Sequence, residues 1–119
     1  MQKVIIVDDS VVVIRQLEKI ISGSGHFEVV GRGNNGLEAI KLHQELRPDI
    51  ICMDMNMPGM DGITALRALV ARDAAVKVVM ITSLGGVGDK FSEAMKIGAK
   101  AVLSKPFESA TVITTLQSL

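Results

Sequence analysis

Three carboxylates and one ammonium carry the chemistry that this sequence suggests. Asp8 and Asp9 follow the apolar run Val4-Ile5-Ile6-Val7, and Asp54 follows Ile50-Ile51-Cys52-Met53. Lys105 comes just after Ala101-Val102-Leu103, and Thr82 closes Val78-Val79-Met80-Ile81. Each therefore sits just past a short strand-like segment. In an open α/β sheet, ligands bind beyond the carboxyl ends of the strands, where the strand order reverses. With the first and third strands adjacent, Asp8, Asp9 and Asp54 meet in one crevice. Like charges that close repel, and desolvation adds to the cost. A hard divalent cation resolves the conflict. Mg2+ suits it, since it takes oxygen ligands, keeps several waters and bridges carboxylates to phosphate oxygens. A cation, the Lys105 ammonium and the Thr82 hydroxyl around Asp54 are what phosphoryl transfer to that carboxylate needs. Asp54 is then the nucleophile and an acyl phosphate the product.

The elements that must position these groups are legible as alternation. Strands are predicted at 4–7, 27–30, 50–53, 78–81 and 101–103, bounded by turn residues as buried parallel strands are. Helical spacing lies between them: Ile14, Leu17 and Ile21; Leu37 and Ile40 with Leu46; Ile63, Leu66 and Val70; Val112, Ile113 and Leu116. The first helix carries a conflict. Val11-Val12-Val13-Ile14 is β-branched and favours strand by propensity, yet the i, i+3, i+7 pattern continues to Ile21. The fourth helix has only Phe91, Ala94 and Met95 for a face, after the glycine-rich entry 84–88. Asn35 with Glu38 forms a capping-box pattern, and Asp61 is placed to cap the third helix. Five β-α units predict an α/β fold: a five-stranded parallel sheet, order 2-1-3-4-5, flavodoxin-like, with helices on both faces.

Composition removes other classes. The 119 residues fit one domain, here 1–119. Thirteen basic residues balance thirteen acidic ones, so the basic footprint of a nucleic-acid binder is missing. Three Phe, no Tyr and no Trp leave little for stacking on bases. No run is long enough to span a membrane, and no signal-peptide pattern opens the sequence. The single Cys52 fits a reducing compartment, so a cytoplasmic location is expected.

Four segments together resemble the response-regulator receiver domain of two-component signalling, over the whole chain. They are Val7-Asp8-Asp9-Ser10, then Met53-Asp54-Met55-Asn56-Met57-Pro58-Gly59-Met60-Asp61-Gly62, Met80-Ile81-Thr82-Ser83 and Ser104-Lys105-Pro106-Phe107. The resemblance implies that Asp54 accepts the phosphoryl group and that Asp8 and Asp9 hold Mg2+. It implies that Asn56 offers its backbone carbonyl to the metal. Thr82 becomes the hydroxyl that moves toward the phosphoryl group, and Lys105 the lysine that pairs with it. A cis Lys105-Pro106 bond is expected. So are a moving segment at 83–88 containing Gly85, Gly86 and Gly88, and an influence of Asn56 and Leu84 on the lifetime of the phosphorylated state. The implied partners are a sensor histidine kinase or phosphotransfer protein and a downstream target, such as a flagellar motor component, or a fused output domain. The domain itself contacts neither nucleic acid nor membrane. It is no enzyme beyond assisting its own phosphorylation and dephosphorylation. Both a free-standing chemotaxis-type regulator and a module cut from a longer regulator fit, since the sequence stops at Leu119 soon after the Lys-Pro pair. One departure stands out: Val102 occupies the position where the family usually has an aromatic.

Blander readings accompany these. Asp8 and Asp9 can serve as helix caps, Thr82 as a strand-end residue and Lys105 as a solvated charge. Cys52 reads as a buried inert thiol, and His26 and His43 as surface or part-buried polar residues without ligand spacing. Exposed methionines of 57–62 offer a partner contact. The competing functional reading is Gly31-Arg32-Gly33-Asn34-Asn35-Gly36, a G-x-G-x-x-G match between a strand and a helix. It makes Gly31, Gly33 and Gly36 a dinucleotide cradle and leaves Asp8, Asp9 and Lys105 without a role.

Overall fold

The computed structural model describes residues 1–83 and 89–119. The elements are β1 (Gln2–Val7), α1 (Val11–Gly23), β2 (Phe27–Gly33), α2 (Gly36–Leu46), β3 (Ile50–Asp54), α3 (Gly62–Arg72), β4 (Lys77–Thr82), α4 (Asp89–Ile97), β5 (Ala101–Ser104) and α5 (Ser109–Gln117). The five strands form one parallel sheet in the order β2-β1-β3-β4-β5. Expected moving parts Leu84, Gly85, Gly86 and Gly88 lie outside the described residues.

Alternation along each strand divides the core in two. Val4 and Ile6 of β1 face a cluster with Ile14, Leu17 and Ile21 of α1 and Val112 and Leu116 of α5. Ile5 and Val7 face the other cluster, with Ala39 of α2, Leu66 and Leu69 of α3 and Ala94 of α4. The period of two thus sends neighbouring residues of one strand into opposite layers. Cys52 is fully buried, and burial pushes its thiol up to about 12, so it is chemically quiet. In α1, tertiary burial of Ile14, Leu17 and Ile21 overrides the β-branched propensity, while Val11 and Val12 stay exposed.

Several expectations need correction. Leu37 is 65% exposed, so the face of α2 is turned from the expected one. Gly36, Ala39 and His43 are its buried residues, with Ile40, Leu42 and Leu46 partly buried at the flanks. Small residues face the sheet because the helix lies close. A Cβ on Gly31 of β2 would meet Leu46 Cδ1 at 2.8 Å, and one on Gly33 would meet Glu38 Cβ at 3.1 Å. His43 is 1% exposed rather than superficial, with Nε2 3.0 Å from Asp73 Oδ2 at the end of α3. That bond, and next the Ala75 N–H, hold the Asp73 carboxyl below its ordinary value. Met55 and Met57 are buried too, so only the half-buried Met60 remains near the surface of that loop. In α4, Ala94 alone of the expected face is buried, and Phe91 and Met95 are each 39% exposed.

The capping signals hold with one change. Asn35 accepts from the Glu38 N–H at 2.9 Å, while the Glu38 carboxylate reaches the Asn34 N–H at 2.7 Å rather than that of the cap itself. Asp61 caps α3 through the Thr64 N–H at 2.8 Å.

The tightest backbone approach is at Gly62, where α3 begins under the end of β3. A Cβ there would stand 2.2 Å from the Asp54 carbonyl oxygen and 2.7 Å from Met55 Cα. Both neighbours are backbone and cannot swing aside. Gly62→Ala is therefore expected to destabilise the domain by about 3 kcal/mol, at the upper end for overpacking. Gly23→Ala, in open space at the end of α1, is expected to gain roughly 0.5 kcal/mol. Urea unfolding of both variants checks the contrast; equal stability of the two would show that the approach at Gly62 does not constrain the fold.

Candidate functional site

The site forms at the carboxyl edge of the sheet, between β1 and β3, where the strand order reverses. Three backbone bonds fix the strand ends there. The Asp8 N–H donates to the Gly33 carbonyl at 3.0 Å, the Met55 N–H to Ile81 at 2.9 Å, and the Lys105 N–H to Thr82 at 2.8 Å. The side chains of residues 8, 54, 82 and 105 are thereby held around one crevice.

Helix α1 is capped by Ser10, whose Oγ accepts from the Val13 N–H at 3.3 Å. Neither aspartate serves that purpose, which removes the capping explanation for the pair. Asp8 is fully buried and Asp9 is exposed. Asp8 Oδ1 accepts the Ser10 N–H at 2.9 Å. Its Oδ2 faces the Lys105 Nζ at 3.1 Å but accepts no well-directed hydrogen bond among the described residues. A buried carboxylate oxygen left in that state is costly unless something else binds it.

Asp54 ends β3 and is 4% exposed. The Asn56 N–H donates to its Oδ1 at 3.2 Å, and Lys105 Nζ stands 3.8 Å from its Oδ2. Burial raises the Asp54 carboxyl above its ordinary value. Asp8 and Asp9 push the same way, against the Asn56 N–H and Lys105. Asp8, Asp9 and Asp54 each offer an oxygen within 4.8 Å of the others. Oxygens opposite each other on an octahedral Mg2+ lie about 4.2 Å apart. Donor type, spacing and the unsatisfied Asp8 Oδ2 therefore all fit a hard divalent cation. Asn56 is exposed at the rim, two residues beyond Asp54.

Thr82 is buried at the end of β4, with its hydroxyl directed at the Ser83 carbonyl at 3.4 Å. It lies beside the carboxylates in the sheet, bonded to its own chain. The Lys105-Pro106 bond is cis, as expected. Val102 pairs with Met80 and is partly buried against the layer of α3 and α4.

The structure corrects the dinucleotide reading. Gly31 and Gly33 are not in a loop; they belong to β2, paired with Ile5 and Val7. The side chain of Arg32 pairs with Glu18 of α1. The glycines leave room for α2 to pack, and the strand is the edge strand away from the order reversal.

A family model described as the response regulator receiver domain matches residues 4–117. The chain belongs to the response-regulator receiver family. It is 40% identical over 117 residues to a chemotaxis protein CheY of Listeria monocytogenes, covering 98% of this chain and 97% of that one. It is 45% identical over 107 residues to protein-glutamate methylesterase/protein-glutamine glutaminase 1 of Pseudomonas aeruginosa, covering 89% of this chain but 29% of that protein. Among solved structures, a chain of the CheX-CheY-BeF3-Mg2+ complex from Borrelia burgdorferi matches with a TM-score of 0.91 at 33% identity. That match covers 98% of this chain and 87% of the other. Receiver domains of two-component systems thus occur both as CheY-like proteins and as regulatory modules of larger proteins, and bind Mg2+ at an acidic pocket. No helix among the described residues is long and apolar enough to cross a membrane.

Two site features escaped the sequence. Gly62 looked like one more turn glycine, although it lets α3 start against Asp54. Lys90, from α4, donates to Asn56 Oδ1 at 3.3 Å; only the folded arrangement brings these residues together.

The raised Asp54 carboxyl has a sign that can be tested. In the unfolded chain this group ionises in the ordinary range, near 4. In the fold it stays neutral to higher pH, so stability is lost as pH rises from the ordinary value through the raised one. Asp54→Asn removes that loss. In EDTA at pH 7 the variant is expected to be the more stable of the two, with the higher Tm. Below the ordinary carboxylate range the advantage should fade. Melting curves against pH check this; an advantage that grew toward acid would have the wrong sign.

Proposed function

We propose that this domain is a phosphorylation-controlled switch in which Asp54 accepts a phosphoryl group from a partner's phosphohistidine. The observation that supports it most is the buried pair Asp8 and Asp54 with Lys105 between them, 3.1 and 3.8 Å from the facing oxygens. In this reading Asp8, Asp9 and Asp54, with the Asn56 backbone carbonyl, hold Mg2+. The ion would supply positive charge to the phosphoryl oxygens and offset the carboxylate repulsion.

The chain's own residues do the rest. A carboxylate oxygen of Asp54 attacks phosphorus as the phosphorus–nitrogen bond breaks. The bonding pair returns to the imidazole, which takes up a proton. Lys105 follows the charge from carboxylate to phosphoryl oxygen, while the strand-end bonds keep Asp54 pointed into the crevice. The Thr82 hydroxyl exchanges its 3.4 Å contact with the Ser83 carbonyl for a phosphoryl oxygen. That exchange selects the second conformer of the switch. Position 102 takes no part by ring rotation, because valine carries no ring.

The donor is a sensor histidine kinase or phosphotransfer protein in the cytoplasm. The receiver of the signal is a downstream protein or a fused output domain, within a single receiver unit spanning 1–119. The domain catalyses only its own phosphorylation and dephosphorylation. The CheY relatives favour a free-standing chemotaxis role, and the methylesterase relative a regulatory module.

Acetyl phosphate is expected to add one phosphoryl group in Mg2+ and none in EDTA, read by intact mass. Asp54→Asn should gain none. Lys105→Ala should retain stabilisation by Mg2+ but accept the phosphoryl group about 100- to 1,000-fold more slowly, the range for losing one electrostatic donor. Unimpaired phosphorylation of Asp54→Asn would overturn the assignment.

A further inference from the structure

Lys90 is the second residue of α4, and its ammonium donates to Asn56 Oδ1 at 3.3 Å. The Asn56 N–H in turn donates to Asp54 Oδ1 at 3.2 Å. One residue therefore separates the Lys90 ammonium from the Asp54 carboxylate. Lys105 stands on the other side, 3.8 Å from Asp54 Oδ2. The carboxylate is flanked by two lysines, only one of which the phosphoacceptor reading uses. The charge of Lys90 also reaches Asp61, whose carboxyl is held below its ordinary value chiefly by the Thr64 N–H and in smaller part by Lys90.

The present partner of Lys90 is a poor one. A solvent-exposed contact to a neutral amide oxygen contributes little. A phosphorylated side chain presents roughly two negative charges and three acceptor oxygens. Charge-assisted bonds are about twice as strong as neutral ones. A lysine's ammonium rides on a flexible four-carbon stem, so about one residue's breadth is within its sweep.

We propose that Lys90 is a phosphoryl-contacting residue: once Asp54 is phosphorylated, its ammonium leaves the Asn56 amide and pairs with a phosphoryl oxygen on the rim opposite Lys105, shielding phosphorus from water. This rests on the phosphoacceptor reading above. Hydrolysis requires a water oxygen to attack phosphorus while the bond to the Asp54 oxygen breaks. The electron pair returns to the carboxylate, and both of the water's protons leave with inorganic phosphate as dihydrogen phosphate. An ammonium held on the open rim obstructs that approach. Lys90 therefore prolongs the acyl phosphate.

The test is the decay of the acyl phosphate, followed by intact mass after acetyl phosphate is removed. Lys90→Met keeps the stem and removes the charge. It is expected to shorten the lifetime about three- to tenfold, the kinetic size of one charge-assisted contact at an open rim. Lys90→Arg should restore most of it, and added salt should shorten the wild-type lifetime more than that of Lys90→Met. Tm in EDTA should be unchanged, because the side chain is exposed. If the wild type is phosphorylated and Lys90→Met decays at the same rate or more slowly, the role of Lys90 is overturned and Asp54 stands. If Lys90→Arg is as short-lived as Lys90→Met, the charge is not the agent and the proposal also fails. If the wild type gains no phosphoryl group, the phosphoacceptor reading falls and takes this one with it.

Discussion

Three carboxylates meet within 4.8 Å at the edge of the sheet, two of them closed off from solvent, with one ammonium among them. Left alone, the cluster opposes folding through repulsion and lost hydration. Relief among the described residues is partial: the Asn56 N–H satisfies one oxygen of Asp54, and the single Lys105 ammonium is shared between Asp8 and Asp54. The rest of the domain holds these groups together despite that cost. The buried stretch Val4–Val7 of β1 and the buried β3, paired from Val4–Ile50 to Val7–Met53, fix the bases of both aspartates. Gly62 lets α3 close beneath Asp54. A pocket held in this condition is poised to respond to an added cation or phosphoryl group, because either one changes the charge balance of the cluster.

The same constraint bears on the proposed switching. Before phosphorylation, Thr82 and Lys90 are bonded to weak neutral acceptors, the Ser83 carbonyl and the Asn56 side chain. Lys105 is shared between two carboxylates. In the proposed switch, each of the three would gain a stronger partner when charge arrives on Asp54. They come from β4, α4 and the segment after β5, so one covalent change biases several elements at once. The receiver family's use both alone and joined to larger proteins fits a domain whose output is the arrangement of these elements rather than a second chemistry.

Much of this was written locally in the sequence. Strand ends coincide with Asp8, Asp54, Thr82 and Lys105 because buried β-branched runs stop where charge or a hydroxyl appears. The period of two and the right-handed crossover then leave few sheet orders. Asn35 and Asp61 are legible as caps because their partners lie three residues away. What failed depended on distance along the chain. The face of α2 differs from the expected one because Gly36 starts the helix against Met60 and Ala39 packs into the core, leaving Leu37 outside, and because His43 is buried against Asp73, 30 residues away. The strand β2 runs on through Gly31 and Gly33, which imitated a phosphate loop while serving helix packing. Lys90 meets Asn56 across 34 residues, and no spacing rule brings them together.

In the proposed switch, phosphoryl transfer is directed to one carboxylate of three. Borohydride reduction of the phosphorylated domain, followed by peptide mass mapping, tests it directly, because only an acyl phosphate is reduced to the alcohol. Reduction is expected at Asp54 alone, dependent on Mg2+ during phosphorylation. Reduction at Asp8 or Asp9, or a phosphorylated domain with no reducible carboxyl, would contradict it.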